Sequence, residues 1–140
     1  MAAFVLSGAW WVQQAWSLGV MSPHSDNETW IVAAGDAVLS KRADGGLSPI
    51  DRLVYCLWVA DYGMRNAGDL DTARDVYPDF HREAANLARD LGLGYVLESF
   101  SLPTEALQGQ YFERFDRICD EIKIAEAGAS SDPSHRNGFW

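Results

Sequence analysis

The stretch Ser48–Asn66, SPIDRLVYCLWVADYGMRN, decides the fold class. Ile50, Leu53, Val54, Leu57, Asp61 and Met64 recur at spacings of three and four, and all but Asp61 are apolar. That is one face of an α-helix. The other side carries Tyr55, Cys56, Trp58, Val59 and Tyr62, so the helix is apolar nearly all round. A helix of that kind is buried in the middle of a domain or a membrane. Its start is marked three times: Ser48 as N-cap, Pro49 at the first helical position and Asp51 three residues after the cap. A central buried helix near residues 49–66 is therefore expected.

Outward from it, the chain reads as more helices. Glu28–Ala43 repeats apolar residues at Trp30, Ala33, Ala34, Ala37 and Val38, with Lys41 and Arg42 in the last turn. Ser22–Asn27 reads as the loop before it, with Ser25, Asp26 or Asn27 as cap. Beyond the central helix, Asn66–Asp71 is a break, with Gly68 for the turn and Asp69 or Asp71 for the next cap. A short helix follows over 70–77, and another over 78–91 buries Phe80, Ala84, Leu87, Ala88 and Leu91. Tyr95–Phe100 has no partner segment for a sheet and reads as a loop or one helical turn. The last helix, 104–127, carries the stripe Leu107, Tyr111, Phe115, Ile118 and Ile122. The expectation is an all-α single compact domain of about five helices over 1–127, with 128–140 as a mobile C-terminal tail.

Ala2–Met21 is apolar and has the length of a membrane span. Gln13 and Gln14 interrupt its centre, and no Lys or Arg precedes Lys41. A signal peptide needs a basic start and a span needs anchoring charges, so a cytoplasmic protein with no membrane role is expected. The Trp10-Trp11 pair and its apolar surroundings instead suggest a surface that self-associates, and so a homodimer.

The chain has 20 acids against 11 bases, a formal charge of −9. Direct nucleic-acid binding needs the opposite sign, because affinity comes from neutralising phosphates. The partner expected is a basic protein surface, on a DNA-binding protein or a nuclease. The acids concentrate after the central helix. Asp71, Asp75, Asp79 and Glu83 repeat at four, with Asp69 just before them, and these five form the candidate partner-binding strip. The competing reading is a solvated helix face partly paired with Arg74 and Arg82.

No specific catalytic constellation is present. His24, His81 and His135 show no metal-ligand spacing, and His81 reads as a surface residue. Cys56 and Cys119 fall in apolar helical patterns and read as buried free thiols. Neither a metal nor a cofactor is expected. Asp61 and Asn66 form the one candidate polar site. A buried Asp61 needs a partner such as Arg65, Asn66 or a backbone N–H.

The segments SPIDRLVYCLWVADYGMRNAGDLD and YFERFDRICDEI together resemble a bacterial family of small acidic helical proteins that includes a neisserial DNA mimic. The resemblance spans roughly 47–122. It rests on the apolar helix with an acid near its end, the turn Asn66-Ala67-Gly68 and the aromatic–acid rhythm of the last helix. The family's usual turn is Asn-Gly-Gly, then an aromatic and a Gln. Here Ala67 replaces the first Gly, and Asp69, Leu70 and Asp71 follow. The resemblance implies an all-α, often dimeric, non-enzymatic protein that binds other proteins. Three functions follow as expectations: an acidic protein-binding module acting as a decoy for a basic surface; an immunity or antitoxin protein against a toxin nuclease; or a small ligand-binding protein or enzyme with a pocket near Asp61.

Overall fold

The computed structural model describes residues 23–131, and the side chains of 26–129. Within them the chain forms six helices and no strand: α1 (Pro23–Ala43), α2 (Pro49–Ala67), α3 (Leu70–Val76), α4 (Phe80–Leu91), α5 (Gly94–Phe100) and α6 (Thr104–Ser131). The described part of the chain is all-α.

Helix α2 starts as its sequence dictates. The Ser48 hydroxyl accepts from the Asp51 N–H at 3.2 Å, and the Asp51 carboxylate accepts from the Ser48 N–H at 3.1 Å. These two bonds satisfy orphan donors on each other's backbone. The helix ends at Gly68, whose φ of 75° is open to glycine at little cost. The Gly68 N–H then closes the last turn on the carbonyls of Gly63 and Met64. Leu53, Val54, Cys56, Leu57, Val59, Ala60 and Met64 are buried, and α2 packs against α1, α3, α4 and α6.

Helices α1 and α2 are antiparallel. Contacts between them run in opposite sequence order: Lys41 pairs with Asp51, Gly35 meets Trp58, and Glu28 meets Arg65. Helix α1 starts at Pro23, earlier than the loop expected over Ser22–Asn27. Asn27 lies on it rather than capping it. Its buried amide donates to Asp116 at 2.8 Å and accepts from Lys123 at 2.8 Å, tying α1 to α6. That long-range use of the side chain outweighs its local capping tendency.

Helix α6 buries Leu107, Tyr111, Phe115, Ile118 and Ile122 completely. Each such side chain contributes about 1.5–3 kcal/mol, against about 1 kcal/mol for a typical cap. The helix runs to Ser131, past the expected end at Ala127. The rest of the expected tail, and the apolar segment 2–21 with Trp10 and Trp11, lie outside the described residues.

Two short helices are tied to α6, α3 in addition to its own cap at Asp69 and α5 in place of one. The Leu70 N–H at the start of α3 donates to Gln108 Oε1 at 2.9 Å. The N–H groups of Tyr95 and Val96 donate to Glu121 at 3.2 and 2.8 Å. Capped from outside, α5 becomes a full helix where a loop or single turn was expected. Helix α4 starts at Phe80, after Tyr77–Asp79 interrupt the helical run. Cys56 and Cys119 are free and buried, and burial pushes both thiols up in pKa.

Candidate functional site

The five strip acids arrive in different environments. Asp69 is the N-cap of α3 and accepts from the Thr72 N–H at 2.9 Å, a bond that holds its carboxyl below the usual range. Asp71 pairs with Arg74, and Asp79 with Arg82 at 2.9 Å, both three residues apart. Glu83 is half-buried. It takes the Arg52 guanidinium at 2.8 Å and the Tyr77 hydroxyl. Donation to Glu83 stabilises the protonated phenol and pushes Tyr77 up to about 12. Only Asp75 is exposed with no basic partner among the described residues. The strip is also not one row, because the break at Tyr77–Asp79 resets the helical phase.

Asp61 is 6% exposed. Its Oδ1 accepts from the Tyr111 hydroxyl at 2.8 Å, and Arg65 Nε reaches both carboxylate oxygens at 3.0 and 3.1 Å. Burial pushes this carboxyl up, against the Tyr111 bond and the Arg65 charge, which oppose it. Tyr111 is fully buried, and burial plus the Asp61 charge push its hydroxyl well up too. Arg65 spans the site. Its guanidinium lies over Phe112 and Phe115, with centroid distances of 5.1 and 4.8 Å, and reaches Glu28 at 3.3 Å. Asn66 takes no part. It is exposed, and its amide donates back to the Tyr62 carbonyl at 2.8 Å. The two candidate polar residues therefore form no joint site. One of the partners expected for Asp61, Arg65, is present. Tyr111, 50 positions away, could be found only from the fold.

His81 departs from the surface position expected of it. The ring is half-buried between Phe80 and Phe100, with centroid distances of 5.8 and 6.0 Å. Burial lowers its pKa, the carbonyls of Leu102 and Phe100 pull it back up, and Arg74 lowers it further. His81 lines a pocket of about 270 Å³ with Arg74, Pro78, Asp79, Phe80, Arg82 and Thr104. Sequence reasoning missed this pocket. Arg74 and Arg82 flank Pro78 and His81 along the chain, but read only as partners for nearby acids.

No group of His, Cys, Asp and Glu among the described residues could hold a metal ion. No described helix is long and apolar enough to cross a membrane. No family model matches the chain, and no curated protein or solved structure is significantly similar to it.

Proposed function

We propose that this chain is a non-catalytic acidic protein-binding module that occupies the basic, nucleic-acid-binding surface of a partner in the bacterial cytoplasm. The observation that carries this reading is the disposition of charge. Acids outnumber bases 20 to 11, and Asp36, Asp75, Glu105 and Glu113 are exposed with no ion-pair partner among the described residues. Unneutralised carboxylates on several helices steer a cationic surface from a distance and repel wrong partners. The likeness of 47–122 to a family containing a DNA mimic supports the same reading. A pocket reading centred on Asp61 has less support, because both of that carboxylate's oxygens are already bonded within the protein.

The test is affinity capture from the native lysate at low salt, followed by a salt gradient and competition with duplex DNA. A DNA-binding protein that elutes as salt rises and is displaced by DNA supports the decoy. A nuclease with the same behaviour makes the chain its immunity protein. Binding that is indifferent to salt overturns the electrostatic basis of both. A homodimer belongs to the same proposal, and light scattering at micromolar concentration that returns a monomer removes it.

A further inference from the structure

The pocket between the end of α3, the start of α4 and the start of α6 has a chemistry opposite to that of the chain. On a protein of charge −9, its lining residues include two arginines, a histidine and a threonine. Its single carboxylate, Asp79, is paired with Arg82. We propose that this pocket binds a phosphate monoester, held by Arg74 and Arg82, with His81 and Thr104 also lining it.

Four observations carry the proposal. Arg74 and Arg82 come from different helices and line one cavity of about 270 Å³, enough for a phosphoryl group and the first atoms of what it esterifies. Among the described residues, each guanidinium is paired only with an exposed acid three residues before it: Arg74 with Asp71 and Arg82 with Asp79. Exposed pairs of that kind contribute little, so both forks are available to a better acceptor. A doubly charged oxyanion is that acceptor, because planar guanidinium forks match its geometry.

The third observation is the start of α4. Asp79 stands at the N-cap position but makes no side-chain cap bond. The Phe80 N–H bonds the Tyr77 carbonyl at 3.0 Å, and no cap side chain takes the N–H groups that follow it in the first turn, beside the pocket. The fourth is His81, whose Nδ1 lies 3.4 Å from Thr104 Oγ1. The charged groups around it are Arg74 from α3, Asp79 from the connection and Arg82 from α4. A phosphate dianion placed among them adds negative charge where Arg74 now opposes protonation of the ring. The proposal does not rest on the decoy reading, and either can fail alone.

Proton NMR of the full chain reads the site through the His81 ring, assigned by its loss in His81→Asn. The ring is titrated at matched ionic strength in chloride, acetate and inorganic phosphate. Phosphate is expected to raise the His81 midpoint by about one pH unit, saturably at millimolar concentration, and the other anions are not. The double variant Arg74→Gln/Arg82→Gln, at exposed positions, is expected to abolish that rise while His81 still titrates. Glycerol phosphate and a neutral phosphoseryl peptide then separate the sources. Saturable binding of either supports the site, and the tighter one names its physiological class. An equal response to acetate and phosphate, or a phosphate response that survives in the double variant, overturns the proposal.

Discussion

Gly63 sits in the last turns of α2, where helix propensity alone favours alanine by about 1 kcal/mol. The structure predicts the opposite sign. A Cβ at Gly63 would lie 2.8 Å from the Asp69 carbonyl oxygen and 2.8 Å from the Ala73 nitrogen. Comfortable contact begins near 3.5 Å, so α3 would have to retreat by about 0.7 Å. Both obstacles are backbone, and no rotamer change relieves them. Helix α3 is also pinned, with Leu70 and Ala73 fully buried and the Leu70 N–H bonded to Gln108. Overpacking of this kind costs about 3 kcal/mol at its upper range, and the propensity gain offsets about 1. Gly63→Ala is thus expected to lose about 2 kcal/mol, close to 8 °C in Tm. Gly109→Ala is the internal control. It lies on the exposed side of α6, where an added methyl would meet nothing within 4 Å, and is expected to gain about 0.5–1 kcal/mol. Urea unfolding followed by tryptophan fluorescence measures both. If Gly63→Ala proves neutral or stabilising like Gly109→Ala, the close approach of α2 and α3 is wrong, and with it the placement of Asp69, Asp71 and Asp75.

Two further predictions concern titratable groups. Tyr111→Phe removes the hydroxyl that donates to buried Asp61 while leaving Arg65 in place, and is expected to cost about 2 kcal/mol by urea unfolding, as for other bonds to charged groups; a loss below about 0.5 kcal/mol would show that Arg65 alone satisfies the carboxylate. His81 has a lowered folded pKa, so the unfolded chain binds its proton first as pH falls from the usual value of 6.5. Its contribution is fully present above that value and is lost as pH drops through the folded pKa, so the urea midpoint should decline below about pH 6.5, and His81→Gln should flatten that decline. An unchanged slope in the variant would assign it to other groups.

What was legible in the sequence was what short-range chemistry controls. The capping box at Ser48 and Asp51, the glycine stop at Gly68 and the stripe from Leu107 to Ile122 involve residues within one or two turns of each other. Periodicity and capping rules read such features directly. The whole of α5 and the early start of α1 were not legible. They depend on Glu121 and on Asp116 with Lys123, whose partners lie 25 to 96 positions away. Nothing local in YVLESF announces that a carboxylate from α6 will cap it.

The acidic strip shows the same limit in electrostatics. A spacing of four places Asp71, Asp75, Asp79 and Glu83 on one line only if the helix continues, and the break at Tyr77–Asp79 stops it. The break also lets Arg74 and Arg82, on separate helices, line one pocket with His81. A charge pattern along a sequence fixes the sum of charges but not the local sign, because an arginine three residues from an acid can pair with it or turn toward a shared cavity. Among the described residues Asp75 has no ion-pair partner, while Asp71 and Asp79 are engaged by the two arginines of the pocket. The same short segment therefore presents both signs. An anion that drew Arg74 and Arg82 away from Asp71 and Asp79 would leave those carboxylates unpaired, strengthening the negative surface beside it. If the decoy and the phosphate site both hold, partner affinity should rise when the pocket is filled, by the same factor that the partner raises affinity for phosphate.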